Sequence, residues 1–92
     1  MNWRLRPGQS LRTLGGDDES VIFNDHSGET HLLSAVAVSL LEHLRKGPAD
    51  FSGICAALET AWEFESSGEL QRVVVSLTDE LGALGLIEPS LP

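Results

Sequence analysis

The chain has 92 residues, enough for one modest hydrophobic core, so we expect a single domain over residues 1–92. Hydrophobic residues make up 41% of the chain and charged residues 22%, which excludes a disordered protein, and no apolar run approaches the ~18 residues of a membrane-spanning helix. The formal net charge is −8 and the N-terminus lacks the apolar segment of a secretory signal, so we expect a cytoplasmic protein that binds neither membranes nor nucleic acid.

Short extended segments dominate the first third of the chain. "WRLR" (residues 3–6) alternates apolar and basic residues and indicates a strand, with "SLRTL" as a further extended segment. "SVIFN" (residues 20–24) is rich in β-branched and aromatic residues. "NDHSGE" predicts a hairpin turn around Gly28, after which "THLLS" (residues 30–34) pairs back. These segments together predict a small antiparallel sheet.

The apolar period then changes from two to 3.6, which predicts a first helix over residues 34–46. Ser34 is its predicted N-cap, and Gly47 and Pro48 are predicted to end the helix. A second helix follows Asp50 or Ser52, and the residues predicted on its inner side are Phe51, Ile54, Cys55, Leu58 and Trp62.

The third helix has the clearest periodicity, over residues 67–84. Ser66 and Glu69 form a predicted capping box at its start, and Gly85 ends it. In the tail that follows, Leu86 and Ile87 are expected to pack back before Pro89 ends all regular structure. The predicted fold class is α+β and winged-helix-like, with a small three-stranded antiparallel sheet followed by a three-helix bundle.

No arrangement of residues suggests catalysis, a metal or a cofactor. The histidines are His26, His31 and His43, and their spacing is not that of a zinc site. Cys55 falls on the apolar stripe of the second helix with no neighbouring base, which favours a buried thiol over a nucleophile. Asp17, Asp18 and Glu19 could chelate a cation weakly, but a solvated turn is favoured. We therefore expect a protein that is not an enzyme.

A nucleic-acid interface is disfavoured by charge. A recognition helix carries Arg, Lys, Asn or Gln, and the third helix offers only Gln71 and Arg72 against Asp79, Glu80 and Glu69. The eight acids between residues 50 and 88 are Asp50, Glu59, Glu63, Glu65, Glu69, Asp79, Glu80 and Glu88. The third helix therefore has the wrong sign for DNA.

If the sheet order follows the chain, residues 29–33 form an outer strand with unpaired backbone groups. An extended peptide can add to such an edge. Alternation places Thr30 and Leu32 on one face and His31 and Leu33 on the other. Whether this edge binds a peptide or is covered by its own chain remains open on these grounds.

The stretch "DDESVIFNDHSGETHLLSAVAVSLLEHLRKGPADFSGICAAL" (residues 17–58) resembles the PqqD family of small peptide-binding proteins. With "WRLRPG" at the start, the chain looks most similar to the branch encoded beside an HPr-kinase-related protein, called the HPr-rel-A system PqqD family. The chain departs from typical members at Ser34, where asparagine is common.

The resemblance implies a non-catalytic adaptor, or RiPP recognition element, that holds the leader of a precursor peptide and presents it to a modifying enzyme or an HPr-kinase-related protein. It implies that the leader adds to the third strand of the sheet and packs against the third helix. The peptide-binding residues implied are Glu29, Thr30, His31, Leu32, Leu33, Val73, Leu77 and Leu81.

Two alternatives stay open at this point. One is a winged-helix regulator that binds DNA. The other is a structural subunit that forms a homodimer by pairing its edge strand, residues 29–33, with the same strand of a second copy.

Overall fold

The computed structural model describes residues 2–8, 11–15, 19–25 and 27–90, so the expectations for Asp17, Asp18 and His26 lie outside it. In chain order the elements are β1 (Asn2–Leu5), β2 (Leu11–Gly15), β3 (Glu19–Asn24), β4 (Thr30–Ser34), α1 (Ala35–Arg45), β5 (Ala49–Asp50), α2 (Phe51–Ala61), α3 (Ser67–Ala83) and β6 (Ile87–Ser90). The predicted α+β class is confirmed, with a three-stranded antiparallel sheet followed by three helices.

The main sheet is an antiparallel meander in the order β2-β3-β4. Its second hairpin turns at Gly28, which adopts φ +78° and donates its N–H to the carbonyl oxygen of Asn24 at 2.8 Å. Glycine suits this position because side chains disfavour the left-handed conformation. The turn fixes the register of β3 against β4, in which Val21 lies opposite Leu32.

Each of the three helices begins at a side-chain cap. The cap oxygens accept backbone N–H groups as follows: Ser34 from Ala37 at 3.2 Å, Asp50 from Gly53 at 2.8 Å, and Ser66 from Glu69 at 3.1 Å. The predicted cap at Ser66 is therefore confirmed, but the reciprocal bond of a capping box is not formed, because the Glu69 carboxylate accepts the N–H of Glu65 at 2.7 Å, one residue before the cap.

A second small sheet joins the two ends of the chain in the order β5-β1-β6. β1 pairs antiparallel with β6, so that Leu5 lies opposite Ile87 and Trp3 opposite Pro89. The prediction that regular structure ends at Pro89 is wrong, because β6 continues to Ser90. Proline is tolerated there since β6 is an edge strand and needs fewer donors.

The core lies between the inner face of the main sheet and the helices. Its buried members are Ile22, Leu33, Ala37, Leu40, Leu41, Leu44, Ile54, Leu58, Leu70, Val74, Leu77, Leu81, Leu86 and Ile87. Each large aliphatic side chain buried in this way stabilises the fold by about 1.5–3 kcal/mol.

The inner side of α2 differs from the prediction at one residue. Ile54 and Leu58 are buried, and Cys55 and Trp62 pack against the core, but Phe51 is 37% exposed. Phe51 is the first residue of α2 and shares a surface depression with residues of α3 instead. Among the described residues, no helix combines the length and apolar character needed to cross a membrane.

Candidate functional site

β4 is an edge strand of the main sheet, as the sequence predicted for this segment. The bond from the Asn24 N–H to the Glu29 carbonyl, at 2.8 Å, fixes which backbone groups of β4 point toward β3. In an antiparallel pair, bonded and non-bonded positions alternate, so His31 and Leu33 direct their N–H and C=O groups at β3. The backbone groups of Thr30 and Leu32 therefore point away from the sheet.

The two edges of the main sheet are not equivalent. At the β2 edge, the Nη2 of Arg45 on α1 donates to the carbonyl oxygen of Leu11 at 3.3 Å. At the β4 edge, no residue in the described parts of the chain forms a backbone hydrogen bond to the outward groups of Thr30 and Leu32. Among the described residues, the β4 edge is therefore open at both Thr30 and Leu32, whereas the β2 edge is contacted by Arg45 at Leu11 and open at Thr13.

The side chains of β4 alternate between two environments. Leu33 is 2% exposed in the core, and the half-buried His31 lies on the same inner face. Thr30 and Leu32 point to the opposite, outer face, where Leu32 is 66% exposed. A strand added at this edge would follow the same alternation, with half of its side chains directed inward beside His31.

A cleft of about 270 Å³ lies beside the start of β4. One wall is the hairpin between β3 and β4, and the other joins the segment after β1 to the end of α3. Its lining residues are Arg6, Pro7, Gly8, Asn24, Ser27, Glu29, His31, Leu84 and Gly85. The inward side chains of an added strand would meet this cleft at the level of His31.

The charged groups in the cleft and next to it differ in whether they have an ion-pair partner. The carboxylate of Glu29 lies 3.9 Å from Nε2 of His31. Arg4 forms an ion pair with Glu88 at 2.7 Å, but the guanidinium of Arg6 has neither an ion pair nor a hydrogen bond with any described residue. Arg6 thus lines the cleft without an ion-pair partner in the described parts of the chain.

The predicted residues of α3 lie in the core more than on the surface. Leu77 is 8% exposed and Leu81 is fully buried, whereas Val73 is half-buried against the core. Leu84, at the C-cap of the same apolar stripe, is 39% exposed and lines the cleft. The apolar period predicts Leu84 in the helix but not in the site, because periodicity does not show which end of a stripe is uncovered.

The remaining reactive side chains do not converge. Among the residues that the structure describes, no group of three His, Cys, Asp or Glu side chains is arranged to hold a metal ion. Burial, and secondarily the charge of Glu59, raises the pKa of the Cys55 thiol, which disfavours the nucleophilic thiolate.

Comparison with known proteins agrees with this fold. The family model for coenzyme PQQ synthesis protein D (PqqD) matches residues 19–87. The structure of TbiB1 in complex with the TbiA(beta) leader peptide superposes with a TM-score of 0.70 at 18% identity, covering 97% of this chain and 99% of that chain.

A second structure, lasso peptide synthetase B1 complexed with the leader peptide, superposes with a TM-score of 0.67 at 24% identity, covering 95% of this chain and 98% of that chain. At these identities the likeness establishes the shared fold. No curated protein sequence matches the chain.

Proposed function

This chain belongs to the PqqD family, and on that premise we propose that it is a non-catalytic adaptor that binds the leader segment of a precursor peptide by β-strand addition. The observation that carries the proposal is the open edge of β4, where the backbone groups of Thr30 and Leu32 point outward. An extended peptide would satisfy these groups with its own backbone, and its side chains would supply selectivity.

The binding site we propose centres on Thr30, His31 and Leu32, with Glu29 and Leu33 at its ends. Inward side chains of the leader would enter the cleft between His31 and Leu84. Outward side chains of the leader would lie beside Leu32, which is exposed on the outer face.

On α3, we keep Val73 as a proposed contact of the leader; it is half-buried against the core and is not among the residues that line the cleft. Leu77 and Leu81 are buried, so their part is to hold α3 against the sheet. Because the apolar stripe of α3 is mostly buried in the core, few residues of that stripe are left to contact a ligand directly.

The two structural neighbours are, by their descriptions, complexes with leader peptides. They support a leader as the partner of this chain, in keeping with the open edge. The adaptor would act as one binding domain over residues 1–92 in the cytoplasm and present the leader to a modifying enzyme.

The identity of that enzyme is a separate part of the proposal. The opening "WRLRPG" supports membership of the HPr-rel-A branch, for which the enzyme served would be HPr-kinase-related. The formal net charge of −8 favours a basic or neutral docking surface on that enzyme.

The experiment is an amide chemical-shift titration with a peptide selected from a library of short randomised linear peptides. We expect the shifts to concentrate at β4 and around the cleft, and light scattering to show a 1:1 complex. Shifts confined to α3, or a dimer joined through β4 that excludes the peptide, would contradict the proposal. Salt-sensitive binding of duplex DNA in a gel shift would favour the regulator instead.

A further inference from the structure

We propose that Arg6 selects leaders with an aspartate or glutamate at the position opposite His31; this inference rests on the proposed function of the β4 edge. The first observation is that the exposed Arg6 lines the cleft, as well as a second depression that contains Asp79 and Glu88, and has no ion pair with any described residue. Of the arginines that precede α1, Arg4 pairs with Glu88 at 2.7 Å and Arg12 with Asp25 at 2.8 Å. Arg6 alone among these three lacks an ion-pair partner in the described residues.

Arg6 is held at the cleft by the second sheet. Its backbone N–H donates to the carbonyl oxygen of Leu86 at 3.1 Å, directly after the pair formed by Leu5 and Ile87. A chain segment fixed in this way has lost most of its backbone freedom, so the cost of ordering the arginine on binding is reduced.

Gly85 provides room for the guanidinium. A Cβ atom at Gly85 would lie 3.2 Å from Nη1 of Arg6, closer than ordinary side-chain contacts. Gly85 also adopts φ +77°, which side chains disfavour. The glycine therefore serves two purposes, since it ends α3 and leaves the guanidinium space beside the cleft.

The geometry of strand addition identifies the ligand residue. Residues directly opposite each other in a β-ladder project to the same face, and His31 projects inward toward the cleft that Arg6 lines. The ligand residue opposite His31 therefore approaches Arg6. A carboxylate is the group that best matches a guanidinium, because it can accept two parallel N–H bonds.

The carboxylate of Glu29 and the dipole of α3 bear on this choice. Glu29 also lines the cleft and would favour a basic ligand group, but its carboxylate already lies 3.9 Å from Nε2 of His31. Arg6 also lies near the C-terminal end of α3, which has no basic residue in its last turn, so its charge complements the helix dipole. That structural role predicts a loss of stability on substitution but no change in ligand preference.

The test separates these roles by comparing one peptide with a variant in which an acidic residue is replaced by the corresponding amide. A peptide selected from a randomised library on the wild-type protein is compared with the version in which its acid opposite His31 is changed to Asn or Gln. We expect the wild type to prefer the acid by about two- to fivefold, the range of solvent-exposed ion pairs. Arg6→Gln should remove this preference, and Arg6→Lys, which keeps the charge beside α3, should retain part of it.

Arg72→Gln is the matched control, since Arg72 is exposed, has no ion-pair partner among the described residues, and lies outside the cleft. It should keep the full preference. Selected peptides that shift β4 resonances but show no acid preference, or a preference that survives Arg6→Gln, would overturn the role of Arg6 alone. A library that yields no peptide bound at β4 would overturn the proposed function together with this inference.

Discussion

Arg45 on α1 donates a hydrogen bond to the carbonyl oxygen of Leu11 at the outer side of β2, at 3.3 Å. This contact covers one position on the β2 edge of the main sheet, while the opposite edge, at β4, has no equivalent among the described residues. Exposed sheet edges invite pairing with other chains, and most proteins protect them. The β4 edge lies beside a cleft and has no contact at either Thr30 or Leu32 among the described residues, so it is suited to strand binding.

The open edge predicts the effect of proline at Leu32. The Leu32 N–H points away from β3, so Leu32→Pro removes a donor to the ligand without removing a bond within the sheet. We expect the affinity for a selected peptide to fall by roughly tenfold or more, through the lost bond and the steric clash of the ring. Isothermal titration calorimetry measures this loss.

The matched control for that variant is Thr13→Pro. Thr13 lies on β2, and its N–H points away from β3 at the other edge. Thr13→Pro should bind the peptide like the wild type. Equal weakening by both prolines would show that β4 is not the strand that the peptide joins.

A hydrogen bond between helices predicts a measurable contribution to stability. Trp62, at the C-cap of α2, donates its indole N–H to Oγ of Ser39 on α1 at 2.9 Å. Ser39→Ala leaves this half-buried donor without its partner, which should lower the free energy of unfolding by about 1 kcal/mol. Thr60→Ala removes an exposed hydroxyl that bonds only its own helix, at 2.9 Å to Ala56, and should change little. Urea denaturation compares the two.

The raised pKa of the Cys55 thiol predicts that the free energy of unfolding depends on pH in the alkaline range. Burial, and then the charge of Glu59, raises its pKa in the folded protein. The folded state therefore holds the proton more tightly than the unfolded chain does, so this contribution to stability is complete below the unfolded pKa of about 8.5 and is lost as pH rises through the folded pKa.

Thiol reactivity tests the same shift directly. Reaction of Cys55 with Ellman's reagent at neutral pH should be slower than that of an unstructured cysteine peptide. Glu59→Gln removes the secondary cause, lowers the pKa and should accelerate the reaction, whereas Glu63→Gln should have a smaller effect. A rate equal to the free peptide's would contradict the shift.

Features set by neighbouring residues could be predicted from the sequence. The hairpin at Gly28 and the caps at Ser34 and Ser66 each depend on a few adjacent positions, and the structure has all of them. The edge position of β4 was predictable too, because short hairpins place consecutive strands side by side.

Features that join distant segments could not be predicted in this way. β6 has only four residues, and one of them is Pro89. Its partner β1 lies at the other end of the chain, so no local sequence pattern predicts that β6 is a strand. The cleft follows from that pairing, since β1 and β6 bring Arg6 beside Gly85. Phe51 was misplaced because a helical stripe does not show where the core ends.

The apolar stripe of α3 contains both core and surface leucines, so substitutions at two of its positions give the sharpest test of the site. Leu81→Ala should lower the free energy of unfolding by about 2–5 kcal/mol, because Leu81 is fully buried. Leu84→Ala should cost no more than about 1 kcal/mol, because Leu84 is 39% exposed, yet it should weaken the selected peptide by removing one wall of the cleft. Thermal unfolding and calorimetric titration of both variants give the comparison. If Leu84→Ala leaves binding unchanged while Leu32→Pro abolishes it, the peptide contacts the β4 edge without entering the cleft.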